Sequence, residues 1–167
     1  MSKTNEIVRK AIIVSCAGII LLICLACAGV AFLIYSVEDD DSQEIWRVAL
    51  ASKDGQLRLA DAVSGKWDHV YVFGPYVQRS ALCRTLSVAT NQCERIVPFE
   101  SSDDGEMSLA FVADRQVVRY FRHTSKHGDF SPVATGLPVL RAKAVFRIVP
   151  GSPRYNGRRS LSFFSLP

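Results

Sequence analysis

From Ala11 to Tyr35 the chain runs for 25 residues without a charged side chain. As a helix such a run is about 37 Å long at ~1.5 Å per residue, enough to cross a hydrocarbon core of about 30 Å with some tilt. Whatever folds beyond Tyr35 is then confined to one side of a membrane. Lys3, Arg9 and Lys10 precede the run against Glu6 alone, whereas Glu38, Asp39, Asp40, Asp41 and Glu44 follow it. The Lys/Arg bias keeps the short N-terminal tail in the cytoplasm. The reading is a single-pass protein of the inner (plasma) membrane. It has a cytoplasmic tail over 1–10, a transmembrane helix over 11–35, an acidic solvated linker over 36–43 and an extracytoplasmic domain over 44–167. Two processed forms are alternatives: cleavage at Ala26-Cys27-Ala28, or acylation of Cys27. Either leaves the apolar stretch continuing past the cut, which disfavours both. Cys16, Cys24 and Cys27 read as small apolar fillers of the run.

The outer part, about 130 residues, makes one domain. Its only cysteines, Cys83 and Cys93, are expected to form a disulfide in an oxidising compartment. The net charge of +4 hides an asymmetry: residues 36–114 carry 7 basic and 14 acidic side chains, residues 115–167 carry 10 basic side chains against Asp129. Either the two halves neutralise each other across a sheet, or the second half forms a basic face for anionic lipid, cell-wall polymer or an acidic partner.

Ile45–Leu50 reads as a strand or the end of a helix. Asp54-Gly55 marks a turn, and Leu57 and Leu59 alternate as a short strand. Trp67–Phe73 is rich in aromatic and β-branched residues and apolar on both faces, which predicts a central strand. Trp67, Tyr71 and Phe73 fall on one side, Val70 and Val72 on the other. Gly74-Pro75 ends it, and Val77–Leu86 has helical spacing. Ser87–Gly105 reads as loop. Met107–Val112 and Val117–Arg122 form a hairpin about Ala113–Gln116, followed by a loop from His123 to Leu137. Val139–Val149 alternates as one strand: Leu140, Ala142, Ala144, Phe146 and Ile148 face the core, and Arg141, Lys143 and Arg147 make a basic outer row. Asn156-Gly157 turns the chain into a last strand at Ser160–Phe164. The fold class expected is α+β: the single transmembrane helix, then an antiparallel sheet of about five or six strands with at least one packed helix.

The segment Trp67-Asp68-His69-Val70-Tyr71-Val72-Phe73-Gly74-Pro75-Tyr76 resembles the W-D-x-V-Y-x-F-x-P-Y signature of small bacterial envelope proteins, several of them of lipoprotein type. The similarity extends loosely from Leu57 to Phe130, through Arg119-Tyr120-Phe121 and Gly128-Asp129-Phe130. It implies a domain type and an envelope location but no activity. Val77 stands here where a helix-capping Thr or Ser is expected.

Candidate binding residues are Tyr76, beyond the central strand, Asp68 beside a core aromatic, and the basic set Arg119, Arg122, Arg141, Lys143 and Arg147. His123 and His127 lie four apart with Asp129 nearby. They sit in a Gly- and Pro-containing stretch without further ligands, so no metal is expected. No catalytic residue and no cofactor is predicted: G-x-S-x-G, a phosphate-binding glycine loop and paired C-x-x-C are all missing from the sequence. Nucleic acid is not an expected partner outside the cytoplasm. The functional expectation is a non-enzymatic interaction or scaffold module of the envelope. A binder of anionic lipid or cell-wall polymer is the alternative, and a hydrolase has the least support.

Overall fold

The computed structural model describes residues 41–150 and 161–166. The expected span over 11–35 and the Asn156-Gly157 turn lie outside them. Among the described residues no helix is long and apolar enough to cross a membrane.

A hairpin of high β propensity makes up half of the larger sheet. β3 (Glu106–Ala113) is buried at nearly every position and returns as β4 (Gln116–Thr124). The turn residues Asp114 and Arg115 both have positive φ, 49° and 65°, the backbone of a two-residue hairpin loop. β2 (His69–Phe73) pairs with β3 from His69↔Val112 to Phe73↔Ser108, and β5 (Thr135–Leu140) pairs with the other side of β2. The order β4-β3-β2-β5 makes β2 and β3 the interior strands. A second sheet of three strands has the order β1-β6-β7, with β1 at Gln56–Arg58, β6 at Val145–Pro150 and β7 at Leu161–Ser165.

The expected single sheet of five or six strands is therefore corrected to two antiparallel sheets of three and four. The cause lies in the expected strand Val139–Val149. Residues Arg141–Lys143 form a 3-10 turn that carries the chain from β5 to β6. Two anchors hold that break. The Arg141 N–H donates to the Asp68 carbonyl at 2.8 Å, and the Ala144 carbonyl accepts from the Leu59 N–H at 3.0 Å. Leu140 and Ala142 are consequently exposed, while Ala144 and Phe146 are buried.

The four-stranded sheet has apolar side chains on both faces, so it needs a layer on each. One face, with Val70, Val72, Leu109, Phe111 and Phe121, meets the main core. Ile45 and Ala49 of α1 (41–51 among the described residues) enter this core, as do Leu57, Phe146 and Phe163 of the smaller sheet. Trp67 joins it too, on the side of Val70 rather than of Tyr71, because β2 begins only at His69. A short helix, α2 (Leu59–Ala62), completes that layer. The other face carries Tyr71, Phe73 and Ala110. It is covered by α3 (Arg79–Thr85) and α4 (Cys93–Ile96) through Leu82, Leu86 and Val97. The region expected as loop over 87–105 thus contributes helical turns.

α3 has no side-chain cap from its own N-cap, Gln78. The Glu100 carboxylate accepts the Arg79 N–H at 2.8 Å instead, supplying from a distance what the missing Ser or Thr supplies locally. The Cys83–Cys93 disulfide ties α3 to α4 across Cα atoms 5.7 Å apart.

The double variant Cys83→Ser/Cys93→Ser should lose about 2–3 kcal/mol through loop entropy, a drop in Tm on the order of 10 °C, yet still fold. Its main core contains neither residue. A calorimetric scan of the oxidised and reduced proteins checks this. Arg115→Gly removes a side chain from a positive-φ position and should raise stability by about 0.5–1 kcal/mol in the same measurement.

Candidate functional site

Helical spacing reaches back through the expected linker. Ser42, Ile45 and Ala49 fall on one stripe of α1 and all three are buried. That stripe lies against the β4 face formed by Arg119, Phe121 and His123, alternate residues of one strand. Asp41 receives Arg119 as a two-pronged ion pair, Nε to Oδ2 at 2.7 Å and Nη2 to Oδ1. Beside it, Ser42 Oγ lies 3.0 Å from His123 Nδ1 and 2.9 Å from His127 Nδ1, and the Thr124 N–H approaches it at 3.3 Å. Residues 41 and 42 are thus part of the folded domain, within the stretch expected as solvated linker.

The protons of this cluster can be assigned from its partners. His123 Nε2 is 2.7 Å from the Gly128 carbonyl, which can only accept, so Nε2 carries the proton. Nδ1 is then a lone pair, and the Ser42 hydroxyl donates to it. With its single proton committed, Ser42 Oγ accepts from His127 Nδ1–H and from the Thr124 N–H. Every polar atom of the fully buried His123 ring is used. Its edge also meets Phe130 at 5.0 Å between ring centres.

A serine hydrogen-bonded to an imidazole suggests nucleophilic chemistry. Here Ser42 has no solvent-accessible surface, and neither open depression described on the domain is lined by Ser42 or His123. The cluster fastens a helix to a strand. Burial pushes the His123 pKa down to about 4, with His127 adding to the effect and the Gly128 hydrogen bond and Asp129 opposing it. The unfolded chain binds a proton near pH 6.5 that the folded one refuses until about pH 4. The resulting contribution, about 3 kcal/mol, is complete above pH 6.5 and is lost as pH falls from there toward 4.

The sequence-predicted residues are dispersed. Tyr76 is 60% exposed with φ +62°, and the Asp104 carboxylate beside its hydroxyl raises its pKa. The Asp68 carboxylate accepts the Asp114 N–H at 3.0 Å, bracing the hairpin turn. Arg119 is held by Asp41. Arg122 lies over the Phe99 ring at 4.7 Å and 3.6 Å from Glu106. Arg141 lies over Trp67 at 4.5 Å and donates to the Gly65 carbonyl at 2.8 Å. Lys143 and Arg147 are exposed, Arg147 on β6 with Phe164 as its register partner. The predicted basic row of Arg141, Lys143 and Arg147 is thus divided between a turn and a strand of the smaller sheet. His123 and His127 do come together, on Ser42. Among the described residues no group of three or more His, Cys, Asp or Glu is placed to hold a metal.

Of the two depressions, one of about 970 Å³ surrounds the disulfide between Arg79, Arg84, Thr90 and Glu94. A smaller one of about 310 Å³ lies between Trp67, Phe111, Val118 and Arg119. The most exposed large apolar side chain among the described residues is Leu137, 66% exposed, with Leu140 at 48% on the same strand. Strand β5 is an edge, and Pro138 within it pairs with Tyr71, a position that tolerates a residue lacking an N–H.

Ser42→Ala leaves His123 Nδ1 buried without a donor and should cost about 1–3 kcal/mol. Ser42→Thr, which keeps the hydroxyl, should recover part of that loss. Urea unfolding at pH 7.5 of the three proteins measures both. No protein-family model matches this chain, and no curated protein or solved structure matches it.

Proposed function

We propose that this chain is a membrane-tethered interaction module of the bacterial envelope, whose domain works outside the cytoplasm and holds a protein partner rather than turning over a substrate. One observation carries the reading. Edge strand β5 presents Leu137 and Leu140 to solvent, while the polar groups that first suggest chemistry are committed inside the fold. Ser42 is consumed by two histidines, Arg119 by Asp41, and Arg141 by Trp67 and Gly65. Exposed apolar side chains on an edge strand are a contact surface when they are not a defect. Pro138 on the same strand removes a donor and so disfavours indiscriminate edge-to-edge pairing. The Cys83–Cys93 disulfide suits an oxidising compartment. The uncharged run from Ala11 to Tyr35, with basic residues before it and acidic ones after, supports the tether and its orientation.

A photo-crosslinking residue placed at Leu137 in the full chain, in its native membrane, tests this. A discrete adduct should form from position 137 and not from the exposed control position Lys53, and Leu140→Asp should reduce it at least severalfold. Identical adduct patterns from both positions, or indifference to Leu140→Asp, would remove β5 as the contact strand.

A further inference from the structure

We propose that the outer face of the smaller sheet docks an acidic, extended segment of a protein partner, whose carboxylates Lys143 and Arg147 hold beside the Phe164 ring. The inference rests on the reading of this chain as a module that holds a protein. It adds a second surface, away from β5, and the chemistry of the segment that fits it.

Strand register defines the face. Arg147 of β6 pairs with Gln56 of β1 on one side and with Phe164 of β7 on the other, and Val145 pairs with Arg58. Directly opposed residues share a face, as do alternate residues along one strand. Arg58, Val145, Arg147, Val149 and Phe164 therefore stand together. The intervening Leu57, Phe146 and Phe163 belong to the main core. Val145, Val149 and Phe164 belong to neither core and are half-buried.

The charge left over on this face is of one sign. Arg58 is matched by Asp54 at 2.8 Å. Arg147, and Lys143 in the turn that leads into β6, are both exposed, and neither forms an ion pair among the described residues. Asp129 borders β7 through its bridge to Ser162, but its carboxylate accepts the Ser131 N–H at 2.8 Å. The Arg147 guanidinium carbon lies 6.0 Å from the centre of the Phe164 ring. A guanidinium resting on a ring keeps its N–H edges free, and such an edge takes a carboxylate through two parallel hydrogen bonds.

The dimensions select the occupant. The six residues of β6 and the three strands of the sheet give a face of about 20 Å by about 10 Å, on the order of 200 Å². A stable protein–protein interface takes about 800 Å² from each partner. The face matches instead one extended segment of about six residues. A bilayer fits it less well, because the apolar side chains here are half-buried and none protrudes to enter hydrocarbon. In an extended segment alternate side chains lie on one side, so a row of alternating carboxylates can reach both cations.

The probe is a labelled octapeptide that alternates Glu and Val, titrated into the full chain in a neutral detergent and followed by fluorescence anisotropy. It should bind, and binding should weaken severalfold as salt rises from about 50 to about 200 mM. Lys143→Gln/Arg147→Gln should lose roughly tenfold in affinity, and Arg147→Lys, which keeps the charge without the fork, severalfold. Both positions are exposed, so these variants keep the fold. Arg84→Gln/Arg95→Gln removes two equally exposed cations from the α3–α4 layer and should bind like the unaltered chain. Absence of binding, or equal loss in the two double variants, overturns the proposal. Displacement of the peptide by glycerophosphoglycerol, the soluble headgroup of an anionic lipid, at the same concentration of charge also overturns it, since it would assign the face to lipid. An adduct at Leu137 without peptide binding refutes this inference and leaves the β5 contact standing.

Discussion

One buried imidazole joins the three layers of this domain. His123 belongs to the four-stranded sheet, its Nδ1 takes the hydroxyl of the α1 helix, its Nε2–H holds the loop at Gly128, and its ring edge rests on Phe130. Phe130 in turn packs against Phe146 and Phe163 of the smaller sheet, with ring centres 5.4 and 4.5 Å apart. A histidine can fill such a junction only while neutral, since burial opposes the charged form. Replacing it by an apolar residue would remove the acceptor of the Ser42 hydroxyl proton and the donor to the Gly128 carbonyl, so the site trades unconditional stability for a fixed arrangement of helix, sheet and loop.

The loop that His123 grips has no freedom to vary at Gly128. Its φ is +115°, and a Cβ there would lie 2.2 Å from the Phe163 ring, well inside any real contact. The close approach lets Asp129 bridge to β7, donating its N–H to the Leu161 carbonyl and accepting from the Phe163 N–H, both at 2.8 Å. The two sheets are therefore stitched by backbone hydrogen bonds as well as by aromatic packing. Glycine is needed at this position for space and backbone conformation together, which is a stronger requirement than either alone.

What could be read from the sequence follows the same physics. Strand β2 was legible because it is apolar on both faces, as an interior strand requires, and the β3–β4 hairpin because two β-rich runs flank a turn. The helix after Tyr76 and the Cys83–Cys93 bridge followed from local spacing and from the cysteine count. The break at Arg141–Lys143 was hidden because Leu140, Ala142, Ala144 and Phe146 keep perfect alternation through it. Only the tertiary anchors on Asp68 and Leu59 show that the chain changes sheets there. Ser42 was hidden by its acidic neighbours, which suggested a solvated linker. The one available signal was the helical spacing of Ser42, Ile45 and Ala49.

Charge gives the same lesson about distance along the chain and distance in space. The acidic first half and basic second half invite the picture of a domain with a strong field, but Asp41 meets Arg119 and Glu106 meets Arg122 across the halves. Arg122 also rests on Phe99, and Arg141 spends its cation on the Trp67 face. Contacts of this kind gain more from stacking and from fixing the guanidinium plane than from net charge. Part of the sequence asymmetry is therefore neutralised by ion pairs between the two halves of the chain. It leaves Lys143 and Arg147 as the exposed remainder of a row that three-dimensional structure divides.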